Sequence, residues 1–195
     1  MNEERFKKQR DFILEVDKEK NIYRQTHLTG HGRNEGDAEH AWHMALMAYL
    51  LGEYANEKID LAKTMAICLI HDIVEIDAGD TYAYDEEAKK SQAEREAKAA
   101  ERIFGLLPHD QKEKLKALFY EFENRSSPEA KFARVLDNLQ PILLNVSNDG
   151  SDWKAHGVRA EQVRDRNKNN KDGSLELASF IEDLIFRQKE KGNLK

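Results

Sequence analysis

The chain has one cysteine, three prolines and no apolar run approaching the roughly 20 residues that a bilayer span requires. A framework of internal disulfides is excluded, and Cys68, in the middle of Met65-Ala66-Ile67-Cys68-Leu69-Ile70, reads as a small packed hydrophobe. Basic excess is also missing. The net charge is −6 and Lys and Arg are scattered among acids, so nucleic acid is not expected as a partner. The opening Met1-Asn2-Glu3-Glu4-Arg5 lacks the cationic-then-apolar build of a signal peptide, and the chain reads as cytoplasmic with no membrane partner.

What is present suits helices. The 195 residues, 39% of them hydrophobic, are enough for one domain with a substantial core, expected to span 1–195 with its motif-bearing part at about 22–144. Ala, Leu, Glu and Lys abound and period-two alternation is nearly absent, so the expected fold class is all-α, a compact multi-helix bundle. The pattern predicts helices over Arg5 to Lys18, Ala38 to Tyr54 and Leu61 to about Ile76, then Glu86 to Phe104 and Pro108 to Asn124. A further helix starts near Pro128, with Pro141 expected to kink it or end its first half. Loops are expected at Tyr23 to Asp37 and Ser147 to Gly157, and a C-terminal helix at 174–188, packing through Leu177, Phe180, Ile181 and Leu184 before a frayed Lys-rich tail. The second and third helices are apolar around most of their circumference and are expected to be central and buried.

Charge follows directly on the third helix. His71, Asp72, Glu75, Asp77 and Asp80 come within ten residues after an apolar run. Ionisable groups carried out of water need pairing, hydrogen bonds or a metal. The His-Asp dipeptide alone is weak evidence, since 7 His and 15 Asp in 195 residues give ~0.5 copies by chance. The chain holds a second copy, His109-Asp110, where Asp110 most simply caps or begins a solvated helix. What distinguishes His71-Asp72 is its company: His40 and His43 one turn apart on another apolar helix, and Asp137 within the apolar stripe of a third. Taken singly, His40 is a satisfied core histidine or a ligand, and Asp137 pairs with Arg134, bonds to Asn138 or ligates.

Three stretches, Glu39-His40-Ala41-Trp42, His71-Asp72-x-x-Glu75-x-x-x-Gly79-Asp80 and Asp137 within Ala133-Arg134-Val135-Leu136-Asp137-Asn138-Leu139, resemble in order and separation the HD-domain metal-dependent phosphohydrolases, specifically the 5′-deoxynucleotidase-like branch. The resemblance covers about Ile22 to Leu144. It implies His40, His71, Asp72 and Asp137 as ligands of one divalent metal, and this donor set without thiolate suits Mn, Co, Fe, Mg or Zn. It implies that Glu75 positions or deprotonates the attacking water, and that Asp80 helps to protonate the leaving oxygen or binds the sugar. His43 is expected to hydrogen-bond within the cluster rather than ligate. Arg24 and Arg33 are the candidate cations for substrate phosphate. Gln25 follows Arg24 where those relatives carry a tryptophan associated with choosing deoxyribose, so the resemblance does not extend to strict 2′-deoxy specificity. The activity implied is hydrolysis of a small phosphomonoester, first a nucleoside 5′-monophosphate, with a homodimer as the implied assembly. Another phosphate ester, a nucleoside di- or triphosphate, or a non-catalytic metal-tied binding module are the alternatives.

Overall fold

The computed structural model describes residues Met1–Lys195. Ten α-helices and one two-stranded antiparallel sheet make up the molecule, an all-α architecture as expected. Helix α1 (Glu3–Val16) begins where Asn2 accepts a hydrogen bond from the Arg5 N–H and lies on the surface with no buried residue. At the centre, α2 (Asp37–Leu51) and α3 (Leu61–Ile70) pack on each other and on a later, 20-residue helix. Asp60 caps α3, as expected. Met44, Ala48, Ile67, Cys68, Phe132, Leu136 and Leu139 fill the space between these three helices.

The expected loop from Tyr23 to Asp37 is instead a hairpin, with strands β1 (Tyr23–His27) and β2 (Asn34–Gly36). Its turn holds consecutive left-handed residues, Gly30 (φ 71°) and His31 (φ 54°), and Leu28 N–H donates to the Arg33 carbonyl at 2.9 Å. Asn148 Nδ2 donates to the carbonyls of His27 and Leu28, and its Oδ1 accepts from the His31 N–H, so the hairpin is fixed from outside.

The third helix does not run to Ile76. It ends at Ile70, tight turns follow, and a four-residue helix α4 (Glu75–Ala78) completes the segment. The cause is local: His71 Nδ1 donates to the Cys68 carbonyl at 2.9 Å, occupying the acceptor that the next helical N–H would use. Gly79, at φ 74°, then turns the chain.

Helices α5 (Glu86–Phe104) and α6 (His109–Asn124) cover this segment; Ile70, Ile73, Val74, Ile103, Phe104 and Phe119 form a second apolar cluster beneath them. Helix α7 (Pro128–Ser147) passes through Pro141 unbroken, because Leu136, Leu139, Ile142 and Leu144 are buried on both sides of it. The cost is one N–H that Pro141 does not offer to the Asp137 carbonyl. The expected loop from Ser147 to Gly157 contains α8 (Ser151–His156), and α9 (Ala160–Asn167) follows it. The last helix, α10 (Leu175–Glu190), buries Leu177, Ile181 and Ile185, whereas Phe180 faces outward. Its tail is not frayed: Leu194 is buried, and Lys195 exchanges backbone hydrogen bonds with Val158 and Ala160.

One expectation about burial is half met. The inner side of α2 is core, but Trp42, Leu46, Tyr49 and Leu50 on its outer side are exposed, Trp42 by 62%. No helix is long and apolar enough to cross a membrane.

Candidate metal centre

The broken end of α3, the N-terminal half of α2 and the middle of α7 meet at one point. Ligand-type atoms of His40, His71 and Asp72 lie within 4.8 Å of one another, and all three residues are buried. Asp137 joins from α7, its Oδ1 3.3 Å from His40 Nε2 and 3.9 Å from His71 Nε2.

Both imidazoles are oriented from behind. His71 Nδ1 is held by the Cys68 carbonyl, and His40 Nδ1 donates to Gln140 Oε1 at 3.0 Å. Each ring therefore carries its proton on Nδ1 and turns the Nε2 lone pair inward, toward carboxylate oxygens. Lone pair facing lone pair in a buried site calls for a cation between them. His71 Nε2 is buried without a hydrogen-bond partner, as a ligating nitrogen would be. Burial and Arg24 press His40 toward neutrality, yet the carboxylates of Asp137, Glu35 and Asp72 outweigh them and lift its pKa to about 9. A proton thus answers the same demand that a metal would. Burial alone would raise Asp72 and Asp137. In Asp72 the effect is reversed by His71, Arg24 and His40, and in Asp137 by His40, Arg166 and Arg134, so both carboxyls sit far below the usual range. Two imidazoles and two ionised carboxylates fit one divalent cation.

Asp137 divides its two oxygens. Oδ1 faces the imidazoles, while Oδ2 is held by Arg134 at 3.2 Å and Arg166 at 3.6 Å. The ion pair with Arg134 and a ligand position for Asp137, alternatives on sequence, are compatible in space. Arg134 also lies 3.8 Å over the Phe122 ring, whose neighbour at 4.7 Å, edge to face, is His71.

Glu75 and Asp80 line the same cavity of about 70 Å³ as His71, Asp72 and Asp137. Acceptor atoms of Glu75, Asp80 and Asp37 form a second convergent group. Burial first, then repulsion from Asp72, raises Asp37 to about 6; burial and the same neighbours raise Glu75 well above the ordinary carboxyl range. Asp80 is raised by burial, less so because Arg24 faces it. Three carboxyls raised above their ordinary values, Asp37, Glu75 and Asp80, thus adjoin two that are held low, Asp72 and Asp137, the separation of roles that acid–base chemistry uses.

Arg24 lies among carboxylates, with Nη1 2.9 Å from Asp72 Oδ2 and 3.4 Å from Asp37 Oδ1. Arg33 does not reach the cavity. The hairpin turns it outward, where its guanidinium pairs with Glu39 and donates to the Asn34 carbonyl. His43 is one step removed, with Nδ1 3.2 Å from the Gln140 amide nitrogen that also binds Glu35. Asp77 pairs with Arg102 away from the site, and Cys68 is a buried thiol that burial pushes up to about 12. His27 pairs with Asp152, and His156 packs on Tyr82.

Several site residues had no signal in the sequence. Asp37 looks like a helix cap, but Gly36 takes that position and the Asp37 side chain is fully buried at the site. Glu35, Gln140, Lys89, Glu96 and Arg166 come from elements whose approach only the fold creates.

The HD domain family model matches residues 16–178. The chain belongs to the HD domain family. Among solved structures this HD domain resembles a predicted metal-dependent phosphohydrolase from Magnetospirillum magnetotacticum, at 46% identity and TM-score 0.94, over 98% of this chain and 96% of that one. Human 5′-deoxynucleotidase HDDC2 is 33% identical over 111 residues, 57% of this chain and 53% of that protein. The fission-yeast 5′-deoxynucleotidase hdd1 is 30% identical over 112 residues, 55% of each. The match thus spans about half the length of these curated relatives.

Proposed function

We propose that this HD domain is a metal-dependent phosphohydrolase that removes phosphate from a small phosphomonoester, a nucleoside 5′-monophosphate first of all. The observation that carries the reading is that Glu75 and Asp80, two carboxyls raised by burial, line one cavity with His71, Asp72 and Asp137, whose donor atoms converge on the buried His40. The names of the human and yeast relatives point to the nucleotide, and that of the Magnetospirillum protein to the metal. A purely structural metal would leave Glu75 and Asp80 without a part.

The four donors would hold one divalent ion, Mn, Co, Fe, Mg or Zn. Such an ion supplies Lewis acidity to a water and a phosphate oxygen. Glu75, a strong proton acceptor because it is buried among acids, takes the proton from the attacking water. Asp80, also raised, gives a proton to the leaving oxygen. Arg24 fixes Asp72 and Asp37 and offers positive charge to the incoming phosphate. Gln140 and its neighbour His43 hold the His40 ring in its ligating orientation. Nucleotides and divalent ions meet in the cytoplasm, which agrees with this reading.

The reading includes a homodimer, supported by the exposed Trp42, Leu46, Tyr49 and Leu50 along one face of α2. The decisive test measures phosphate release from paired ribo- and deoxyribonucleoside 5′-monophosphates after chelation and separate restoration of each metal. Release that returns with metal supports the proposal; silence on every pair, with metal bound, sinks it.

A further inference from the structure

The cavity at the metal centre is cramped, about 70 Å³. At roughly 10–15 Å³ per water it holds a handful of atoms, enough for a phosphoryl group and not for a nucleoside. A second cavity, of about 260 Å³, opens beside it between the start of α5 and helix α9. The two share Ala83, Lys89 and Arg166 as walls, so Lys89 and Arg166 stand at the passage between them.

The outer cavity has a polar wall. Lys89, Arg159 and Arg166 line it together with Glu86, Glu161 and Asp165, and each of these acids is ion-paired to a lysine: Lys89, Lys189 and Lys168. Tyr84 gives it an aromatic side. Gln162 gives it an amide: the Gln162 Oε1 accepts from the Arg159 N–H at 3.0 Å, which leaves the NH₂ as a donor for the cavity.

We infer that the outer cavity is the leaving-group subsite, in which Tyr84 and Gln162 receive the sugar and base of the substrate while Lys89 and Arg166 mark the boundary at which its phosphate enters the metal cavity. The inference rests on the phosphomonoesterase reading for its geometry. It assigns substrate choice to α9, outside the motif-bearing stretch.

Its test reads binding rather than turnover. Metal-loaded protein is titrated calorimetrically with ribo- and deoxyribonucleosides, and separately with inorganic phosphate. Gln162→Trp, which fills the outer cavity, should weaken nucleoside binding by at least about tenfold, and inorganic phosphate should keep its affinity within about twofold. Gln162→Glu keeps the cap acceptor on α9 and replaces the amide donor by a charged acceptor, so it should weaken nucleosides in the same direction if Gln162→Trp fails to fold. Nucleosides that bind both variants as well as wild type, or that fail to bind wild type, overturn the subsite. Nucleoside binding that responds to Gln162 in a protein that releases no phosphate keeps the subsite and removes the hydrolase reading.

Discussion

His71-Asp72 and His109-Asp110 are one dipeptide in two settings. The first lies at the broken end of α3, buried, with its imidazole held by the Cys68 carbonyl and its carboxylate by Arg24. The second opens α6, where His109 is 89% exposed on its side chain and Asp110 forms a surface ion pair with Arg5. Asp72 is driven far below the usual carboxyl range by buried neighbours, whereas Asp110 falls to about 2 through its hydrogen bonds with Arg5. The difference teaches that the dipeptide carries no chemistry by itself. What matters is whether the helix ends in the core, so that both side chains turn inward and meet donors from other helices.

The comparison breaks most sharply on metal content. His71→Ala should reduce bound divalent metal after dialysis from about one per chain to a trace and abolish turnover, and His109→Ala should change neither; elemental analysis of both proteins decides, and equal loss would erase the distinction. Next in size, Glu75→Gln should keep the metal and lower kcat by roughly 10²–10⁴-fold, read by steady-state kinetics beside metal analysis. Gln140→Ala removes the group that orients His40, and competition with a chelator should show metal affinity weaker by about 10–100-fold.

A smaller effect sharpens the comparison through pH. Glu19, buried in the turn before β1, has its pKa raised to about 8, by burial first and then by Asp72 and Asp37. A group raised in the folded state stabilises fully below its unfolded value, near 4.5, and loses that contribution as pH rises through about 8. Metal-free wild type should therefore lose stability between pH 5 and 9 relative to Glu19→Gln, by about 3 kcal/mol at pH 8 in urea unfolding. Asp110 has the opposite sign. Its contribution is present above the ordinary value of 3.8 and fades as pH falls through about 2, so Asp110→Asn should shift a melting curve at neutral pH by no more than its error.

The all-α class was legible because helical periodicity is strong in α2, α3, α5, α6 and α7, and that His40, His71, Asp72 and Asp137 would come together was legible because their spacing is itself a pattern. The hairpin escaped because Tyr-Arg-Gln-Thr-His alternates nothing apolar and is fixed by Asn148 and Asp152 from far along the chain. Helix α9 escaped because only Ala160 and Val163 of its eight residues are buried. The break at Ile70 escaped because a side chain competing for a carbonyl leaves no trace in hydrophobic periodicity. Asp37 escaped because a cap and a buried site acid are the same residue type. Arg33 misled because loop sequence does not say which way a hairpin turns its side chains.

The break in α3 has a consequence for the life of the protein. From His71 to Ala78 the backbone is held largely by three-residue hydrogen bonds, such as Ile73 N–H to the Ile70 carbonyl at 3.3 Å, in place of a continuous helical ladder. Such a pattern should make this short stretch open more easily than the continuous helices around it, to which it is joined through the side chains that would grip a metal. With a metal on those side chains, chelation would act as a local unfolding agent: amide hydrogens of this stretch should then exchange with solvent before those of α7, and a protease should find it open more often.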